Sequence, residues 1–195
     1  VRSKLEWVCT WLDRNWYDYA RRHSVKPPIF INAWDGKHEH PTQELLDQFT
    51  ILEDNNRNRA HLHIALLWDL LHGRTVHSKV DWLRIYKSVS VDLIAPQLLQ
   101  MPQMYIDQMK SYWYKVRIFD SIDEYLEQSS IATAWYFTRL QLERMWDEIL
   151  QQAPALRKKV SITPEHISKL PSDKLKFYHP LPRHKLYPEI PTFLD

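Results

Sequence analysis

The sequence predicts an α/β fold in which helices cover both faces of a parallel β-sheet. Two observations predict this class. Short apolar segments rich in β-branched and aromatic residues alternate with amphipathic segments of about ten residues, which is the pattern of repeated strand–helix units. The chain has 195 residues, of which 44% are hydrophobic, so it can bury a sizeable core. Strands of such sheets are buried on both faces, which explains why the segments are so apolar.

The first predicted element is an amphipathic helix over residues 3–22, which ends in the basic residues before KPP. The apolar segments that follow it are predicted strands over 28–32, 61–67, 91–96, 115–119, 131–137 and 174–183, the last of which runs into a proline-fixed turn. The segments between the strands have helical periodicity and are predicted helices over 40–54, 73–88, 102–113, 121–128 and 140–152. In the helix over 40–54, one face carries the apolar side chains of Leu45, Leu46, Phe49 and Leu52.

The charge balance argues against a nucleic-acid-binding protein. The 26 basic residues nearly cancel the 24 acidic ones, and the pI of about 8.6 reflects a small excess spread along the chain. The lone Cys9 cannot form an internal disulfide, and the sequence has no signal peptide and no apolar run of membrane-spanning length. We therefore expect a cytoplasmic protein with neither nucleic-acid nor membrane partners.

Polar and basic side chains follow the predicted strands, at the end of a parallel sheet where ligands bind. The residues at these exits that suit an anionic ligand are His40, Gln43, Arg74, Arg139, Gln141, His179 and Arg183. Arginine presents a planar fork that fits carboxylate and phosphate, and Arg74 also stands at a helix start, where N–H groups favour an anion. A surface salt bridge explains one such arginine as well as a ligand does, but several at successive exits favour a binding cleft.

Other kinds of site have less support. The pairs His38/His40 and His61/His63 lack the cysteine or carboxylate companions of a known metal motif, so we expect no metal. The sequence contains no GxSxG, Walker A or CxxC pattern, and nothing in it calls for a cofactor. The aromatic residues could stack on nucleic-acid bases, but most lie where core packing explains them.

Four motifs, in this order and at these separations, resemble the catalytic chain of aspartate carbamoyltransferase. They are HPTQELLD (40–47), GRTVHS (73–78), TRLQLER (138–144) and YHPLPR (178–183), and RSKLEW at residues 2–7 is similar to a further segment of the family. Ornithine carbamoyltransferase shares the first motif but differs at the last two. Arg139 with Gln141 and the HPLPR form favour aspartate, because a dicarboxylate substrate needs the extra arginine.

The resemblance implies a role for each matching residue. Arg2, His40 and Gln43 match the catalytic positions that hold carbamoyl phosphate, with Arg2 and His40 on its carbonyl oxygen. For the substrate amino acid, the implied contacts are Arg74 to the α-carboxylate, Arg139 to the β-carboxylate, Gln141 beside it, and the backbone carbonyls of Pro180 and Leu181 to the amino group. The implied reaction transfers a carbamoyl group from carbamoyl phosphate to L-aspartate, a step of pyrimidine biosynthesis that needs no cofactor or metal.

The resemblance also implies a domain organisation. Residues 1–40 would be the end of the carbamoyl-phosphate-binding domain, 41–55 an interdomain helix and 56–195 the aspartate-binding domain. The fold would thus be the parallel-sheet aspartate-binding domain of a carbamoyltransferase plus the hinge end of the carbamoyl-phosphate domain. The family's STRT segment, its serine and lysine loop and its last helix are missing from the chain, so we expect it to be a fragment. The implied assembly is a homotrimer with shared active sites, to which a regulatory chain can bind.

Tryptophan is unusually frequent and glycine unusually rare. The chain has 9 Trp and 2 Gly, whereas average glycine usage is about 7%. The resemblance places glycine where this chain has Trp7, Trp34, Trp68, Trp82, Trp113 and Trp146, while Trp135 fits its strand. Our hypothesis is that these six are glycines in the living protein, encoded by UGA in a lineage that reads UGA as glycine. The alternative is a degenerate carbamoyltransferase whose cleft is filled by Trp34 and Trp68 and which acts as a structural or interaction subunit.

Overall fold

The computed structural model describes residues 5–26, 40–139, 141, 147–170, 175–185 and 188–194. Its strands are β1 (Leu62–Leu67), β2 (Val89–Ile94), β3 (Lys115–Phe119), β4 (Ala134–Phe137) and β5 (Lys176–Tyr178). They form one sheet in the order β3-β2-β1-β4-β5, and every neighbouring pair is parallel. The predicted parallel α/β class is confirmed, and the predicted strand over 28–32 lies outside the described residues.

The described helices are α1 (Leu5–His23), α2 (Pro41–Asp54), α3 (Arg74–Trp82), α4 (Gln103–Ser111), α5 (Ile122–Leu126), α6 (Asp147–Val160) and α7 (Pro164–Ser168). Short 3₁₀ turns occupy Leu83–Ile85, Gln97–Leu99 and Thr192–Leu194. No helix in the described part of the chain is long and apolar enough to cross a membrane.

Several predicted boundaries are wrong. The helix predicted over 73–88 ends at Trp82, because the chain tightens there into a 3₁₀ turn that the apolar pattern alone does not distinguish from α-helix. α6 continues past the predicted end at 152 to Val160 and accommodates Pro154 inside it. α7 was not predicted, although a capping box between Thr163 and His166 caps its N-terminus.

The strand order places a topological switch point at the centre of the sheet. β1 is the central strand, with β2 on one side and β4 on the other. The chain therefore moves outward from β1 in one direction through β2 and β3, and in the other direction through β4 and β5. The connections that leave β1 and β4 therefore run in opposite directions. A crevice opens between them at the carboxyl ends of these two strands, where ligands bind in such sheets.

The two faces of the sheet bury different side chains. Ala65, Asp92 and Trp135 are partners in register, so they point to one face. On that face Asp92 meets the side chains of His63, Arg117 and Tyr125, which together we call the Asp92 cluster. Leu66 and Tyr136, also in register, point to the opposite face, which α2 and α3 cover.

α2 packs on the sheet through its polar side. Its buried residues include Glu44, Asp47 and Gln48, while Leu45 and Phe49 are exposed. The apolar face seen in the sequence is therefore mostly exposed, whereas the sequence pattern would place it against the core. Lysine and tyrosine side chains from α3 and β4 explain the difference, because they offer hydrogen bonds to the carboxylates of α2.

The tryptophans of the chain have very different backbone environments. Trp135 lies in β4, is fully buried, and its indole N–H donates to the backbone oxygen of Ala132 at 2.8 Å. Trp68 has a φ of 84° and Trp113 a φ of 64°, in the left-handed region that favours glycine. Trp82 closes α3 with ordinary right-handed helical geometry.

The other two tryptophans that follow α1 in the sequence, Trp34 and Trp146, lie outside the described residues. The part of the cleft hypothesis that concerns Trp34 therefore stays a prediction.

Candidate functional site

A cavity of about 240 Å³ lies at the switch point, beyond the carboxyl ends of β1 and β4. Its lining comes from the start of α2, the start of α3, the exit of β4 and the turn after β5. The lining residues are His40, Gln43, Gly73, Arg74, Thr75, Thr138, Arg139, Gln141, Pro180, Leu181 and Pro182.

The structure brings together every residue that the family resemblance assigns to the site and that the structure describes. The seven are His40, Gln43, Arg74, Arg139, Gln141, Pro180 and Leu181. Arg2 lies outside the described residues. His179 and Arg183, also proposed from the sequence for an anion, line a neighbouring cavity of about 270 Å³ instead. Arg183 donates a hydrogen bond to the backbone oxygen of Ile190 at 3.1 Å, so its side chain braces the segment that follows.

Arg74 reaches the cavity because α3 begins immediately before it. Gly73 is the residue that caps the helix, and a Cβ atom there would lie 2.6 Å from the backbone oxygen of Asp69. No real Cβ comes that close to a backbone atom, so the tight entry from β1 into α3 requires glycine at this position. Arg74 then lies in the first turn of α3, at the end of the helix whose dipole favours an anion.

Arg139 is positioned by a hydrogen-bonded clamp between the exits of β1 and β4. Thr138 donates its hydroxyl to the backbone oxygen of Leu67 at 3.0 Å. The fully buried Asp69 accepts from the backbone N–H groups of His72 at 3.0 Å and Gln141 at 3.1 Å. Arg139 therefore sits between two anchored residues, 138 and 141.

The side chain of Gln141 completes this clamp rather than pointing into solvent. Its amide nitrogen donates to the backbone oxygen of His72 at 2.7 Å. Together with the bond to Asp69, this ties the segment before Arg74 to the segment after Arg139. The clamp thereby places Arg74 and Arg139 at the exits of the neighbouring strands β1 and β4, in the lining of one small cavity, an arrangement suited to a ligand with two carboxylates.

His40 caps α2 and faces the same cavity. Its Nδ1 accepts the backbone N–H of Gln43 at 3.3 Å. Burial lowers the pKa of His40 below its ordinary value of 6.5, and the positive charge of Arg74 lowers it further. A neutral imidazole that accepts at Nδ1 carries its proton on Nε2, so His40 can donate a hydrogen bond from that nitrogen.

A buried ionic cluster holds the side chain of Gln43 in place. Its amide nitrogen donates to Asp47 Oδ1 at 2.9 Å, one helical turn away. Lys79 Nζ lies 2.7 Å from both Glu44 Oε2 and Asp47 Oδ2, and the Tyr136 hydroxyl donates to Asp47 Oδ2 at 2.6 Å. We call Glu44, Asp47, Lys79 and Tyr136 the Asp47 cluster. Burial raises the pKa of Glu44, against the opposing effect of Lys79.

The turn after β5 forms one wall of the cavity. Leu181 has a φ of 55°, which is uncommon for a residue with a branched side chain. Its backbone N–H donates to the ring nitrogen Nδ1 of His179 at 2.8 Å, which supports the turn. Such strained backbone is typical of functional sites, where the position of a carbonyl matters more than local stability.

The expectation that Trp68 fills the cleft is wrong. Trp68 is not among the residues that line the candidate cavity. Its indole is 2% exposed and lines a separate cavity of about 500 Å³ beside Pro154 and Arg157 of α6. The described residues provide no hydrogen-bond partner for its indole nitrogen, which leaves a buried donor unsatisfied.

The sequence reasoning missed Asp47, Asp69 and Thr75. Asp47 lies four residues after Gln43 on the same helical face, which is a detectable spacing. Asp69 gives no comparable signal, because its partners are backbone groups brought together only by the fold. In the described residues, no group of three or more His, Cys, Asp or Glu side chains is arranged to hold a metal ion.

The chain is similar to aspartate carbamoyltransferases along most of its length. No family model matches it. It is 56% identical over 195 residues to "Protein PyrBI" of Thermotoga maritima, covering all of this chain and 37% of that protein. It is 35% identical over 156 residues to the aspartate carbamoyltransferase catalytic subunit of Cellvibrio japonicus, covering 78% of this chain and 45% of that protein.

A solved structure agrees with these relatives. Aspartate transcarbamoylase from Trypanosoma cruzi in complex with carbamoyl phosphate superposes with a TM-score of 0.72 and 33% identity. The match covers 88% of this chain and 52% of that one, so the chain spans about half or less of the proteins that it resembles. Fold, sequence and the order of the site motifs lead to the same conclusion, which is that the chain belongs to the aspartate carbamoyltransferase family.

Proposed function

We propose that the complete protein containing this chain is an aspartate carbamoyltransferase. It transfers the carbamoyl group of carbamoyl phosphate to L-aspartate and releases N-carbamoyl-L-aspartate and phosphate, in pyrimidine biosynthesis. The observation that carries the proposal is the meeting of Arg74 and Arg139 with His40 and Gln43 around one cavity at the switch point. Two arginines on separate strand exits suit the two carboxylates of aspartate, and an ordinary surface ion pair would not require that arrangement.

The proposed chemistry needs positioning and charge stabilisation more than a strong base. The amino nitrogen of aspartate attacks the carbamoyl carbon, the new C–N bond forms, and the bond from that carbon to the phosphate oxygen breaks. Phosphate leaves with the bonding electrons and takes up the proton that the amine loses. Negative charge builds on the carbonyl oxygen in between, where the Nε2 proton of His40 and the side chain of Arg2 would stabilise it.

Each remaining site residue has a proposed contact with aspartate. Arg74 binds the α-carboxylate and Arg139 the β-carboxylate, with Gln141 holding the loop that carries Arg139. The backbone carbonyls of Pro180 and Leu181 accept hydrogen bonds from the amino group. The left-handed conformation of Leu181 supports this role, because it redirects the backbone at the cavity wall.

We also propose the domain organisation of the family for this chain. Residues 1–40 belong to the carbamoyl-phosphate-binding domain, 41–55 form the interdomain helix and 56–195 form the aspartate-binding domain. The outward face of α2 supports the second assignment, because Leu46 and Phe49 are 63% and 64% exposed and an apolar face calls for another packed partner. The resemblance is the support for a cytoplasmic homotrimer with shared active sites that accepts a regulatory chain.

We propose in addition that the six unusual tryptophans are glycines in the functional protein. The support comes from Trp68 and Trp113, whose left-handed backbone is costly for tryptophan and natural for glycine. The codons of the gene test this directly, and UGG at these positions would contradict it. Activity assays of the complete protein should therefore use the form with glycine at all six.

The test of the proposed function is the loss of aspartate binding on removal of Arg139. In the complete glycine-containing protein, Arg139→Ala should weaken aspartate use by about two to three orders of magnitude, because a desolvated carboxylate loses its partner. The affinity for carbamoyl phosphate should stay nearly unchanged. Arg139→Lys should not restore aspartate use, since one ammonium group cannot reproduce the guanidinium fork.

Aspartate saturation and carbamoyl phosphate affinity, measured on the same variant, separate this role from loop bracing. An equal loss for both substrates would mean that Arg139 only supports its loop. An unchanged aspartate response would remove it from the site.

A further inference from the structure

The amide of Gln43 can present either its oxygen or its nitrogen to the cavity, and its buried neighbour decides which. A carboxylate only accepts hydrogen bonds, so the end of the Gln43 amide that faces Asp47 must be the nitrogen. The 2.9 Å bond from Gln43 Nε2 to Asp47 Oδ1 thereby leaves Gln43 Oε1 as the other end of the amide. Since Gln43 lines the cavity, that end is an acceptor available for a ligand N–H.

The other hydrogen bonds of Asp47 prevent its carboxylate from turning to suit a Gln43 amide in the opposite orientation. Its Oδ2 atom accepts from Lys79 at 2.7 Å and from Tyr136 at 2.6 Å. Lys79 and Tyr136 are fully buried, and the lysine nitrogen also lies 3.8 Å from the centre of the Tyr136 ring. A side chain gripped by two buried donors from α3 and β4 cannot rotate freely to offer Gln43 a different partner.

We propose that Asp47 is a positioning residue that orients Gln43 so that the site selects an acyl phosphate carrying an N–H donor. The inference rests on the proposed function and adds a basis for choosing the donor substrate. The carbamoyl group has an NH₂ where an acetyl group has a methyl. An acceptor held toward the cavity distinguishes the two, because only the first can donate to it.

The same geometry predicts what an isosteric change at Asp47 does. In Asp47→Asn the side-chain oxygen faces the donors Lys79 and Tyr136, because the amide nitrogen cannot accept from them. The amide nitrogen of the substituted side chain then faces Gln43 and requires an acceptor. The Gln43 amide turns over, and a donor replaces the acceptor at the cavity.

The experiment compares the binding of carbamoyl phosphate and acetyl phosphate by calorimetry, in the complete glycine-containing protein. We expect the unsubstituted protein to prefer carbamoyl phosphate. Asp47→Asn should lower the affinity for carbamoyl phosphate by about 10- to 100-fold, the usual effect of placing two buried hydrogen-bond donors against each other. The affinity for acetyl phosphate should change by no more than about twofold. The ratio of the two affinities is the readout, because general damage to the site would lower both.

Asp92→Asn is the matched control. It makes the same chemical change in a buried cluster on the opposite face of the sheet, away from the cavity. It should leave the ratio unchanged. The double variant Gln43→Glu/Asp47→Asn should recover part of the preference, because the introduced carboxylate accepts from the introduced amide nitrogen with one oxygen and offers the other oxygen to the ligand.

Two outcomes would overturn the proposal. These are an unchanged ratio in Asp47→Asn, which includes equal weakening of both ligands, or a lowered ratio in Asp92→Asn. Should Asp47→Asn not fold, Tyr136→Phe provides a second test, since it keeps the carboxylate and should preserve the ratio; a fall in the ratio would contradict the proposal. Failure of the proposed function is distinct, because the unsubstituted protein would then not bind carbamoyl phosphate.

Discussion

The two faces of the sheet carry clusters that share one chemistry and differ in where they end. The Asp47 cluster and the Asp92 cluster each centre on a buried aspartate that accepts from a long basic side chain and a tyrosine hydroxyl, and Asp92 also contacts His63. The Asp47 cluster continues to Gln43, which lines the candidate cavity. The Asp92 cluster closes on the backbone instead, through Arg117 to Ser130 and through Tyr125 to Ala132.

The difference between the two clusters lies in the residue that each one holds. Both clusters satisfy their aspartate, and both tie helices or loops to the sheet. Only the Asp47 cluster also fixes a side chain, that of Gln43, that lines the candidate cavity. We therefore expect changes in the Asp92 cluster to alter stability alone, and replacement of Asp47, which holds Gln43, to alter stability and the site together.

Loss of Lys79 should have the strongest effect on stability. Its side chain is fully buried between two carboxylates, whereas the side chain of Arg117 in the other cluster is 36% exposed. Lys79→Met leaves Glu44 and Asp47 without their cation and should lower the free energy of unfolding by about 3–5 kcal/mol. Urea unfolding monitored by circular dichroism measures this.

The double variant Glu44→Met/Lys79→Met is the control for that prediction. It removes a buried acid and base together, which is often close to neutral when the replacements are apolar and pack well. It should recover a large part of the stability lost in the single variant. A double variant less stable than Lys79→Met would show that the ion pair itself, rather than the uncompensated charge, is stabilising.

The contributions of Asp92 and Glu44, on opposite faces of the sheet, should change with pH in opposite directions. Burial opposes ionisation of Asp92, but the hydrogen bonds from His63, Arg117 and Tyr125 prevail, and its pKa lies below the ordinary 3.8. Its contribution is therefore complete above the unfolded pKa and is lost as pH falls through the folded pKa. For Glu44, burial raises the pKa above 4.5, so its contribution is complete below that value and is lost as pH rises through the folded pKa.

Unfolding free energies of Asp92→Asn and Glu44→Gln, measured between about pH 3 and 7, check these signs. The stability difference between the unsubstituted protein and Asp92→Asn should shrink below the ordinary pKa of aspartate. The difference for Glu44→Gln should instead shrink as pH rises through the folded pKa of Glu44. Parallel trends for both variants would remove the distinction between the two faces.

The weakest effect should come from a turn that belongs to neither cluster. Trp113 is 91% exposed with a φ of 64°, so its indole contributes little burial while its backbone is strained. Trp113→Gly should raise the free energy of unfolding by about 1 kcal/mol. The neighbouring Tyr112→Gly is the control, because its φ of −88° suits any residue, and it should destabilise. Destabilisation by Trp113→Gly would contradict the glycine proposal at this position.

Much of the fold was predictable because its signals are local. Parallel strands buried on both faces, such as β1 and β2, appear as apolar runs. The predicted strand over 115–119 has the observed bounds of β3, an edge strand that is only partly buried. The end of α3 was not predicted, since α-helix and 3₁₀ turn share a similar apolar pattern. α7 was not predicted because a helix of five residues is too short to show a helical apolar period. The buried side of α2 was also beyond prediction, because its cause lies in residues of α3 and β4.

The parallel α/β class, the family and the residues that converge at the switch point all follow from the amino-acid sequence, because strand exits and motif order are written along the chain. Three further features depend on the folded chain: the polar side of α2 faces inward, Asp69 clamps the two arginine-bearing exits, and Trp68 lies outside the candidate cavity. The physical reason is distance in sequence. Hydrogen bonds such as Asp47 to Tyr136 join residues far apart in the chain, and no local pattern records which buried donor a carboxylate will meet.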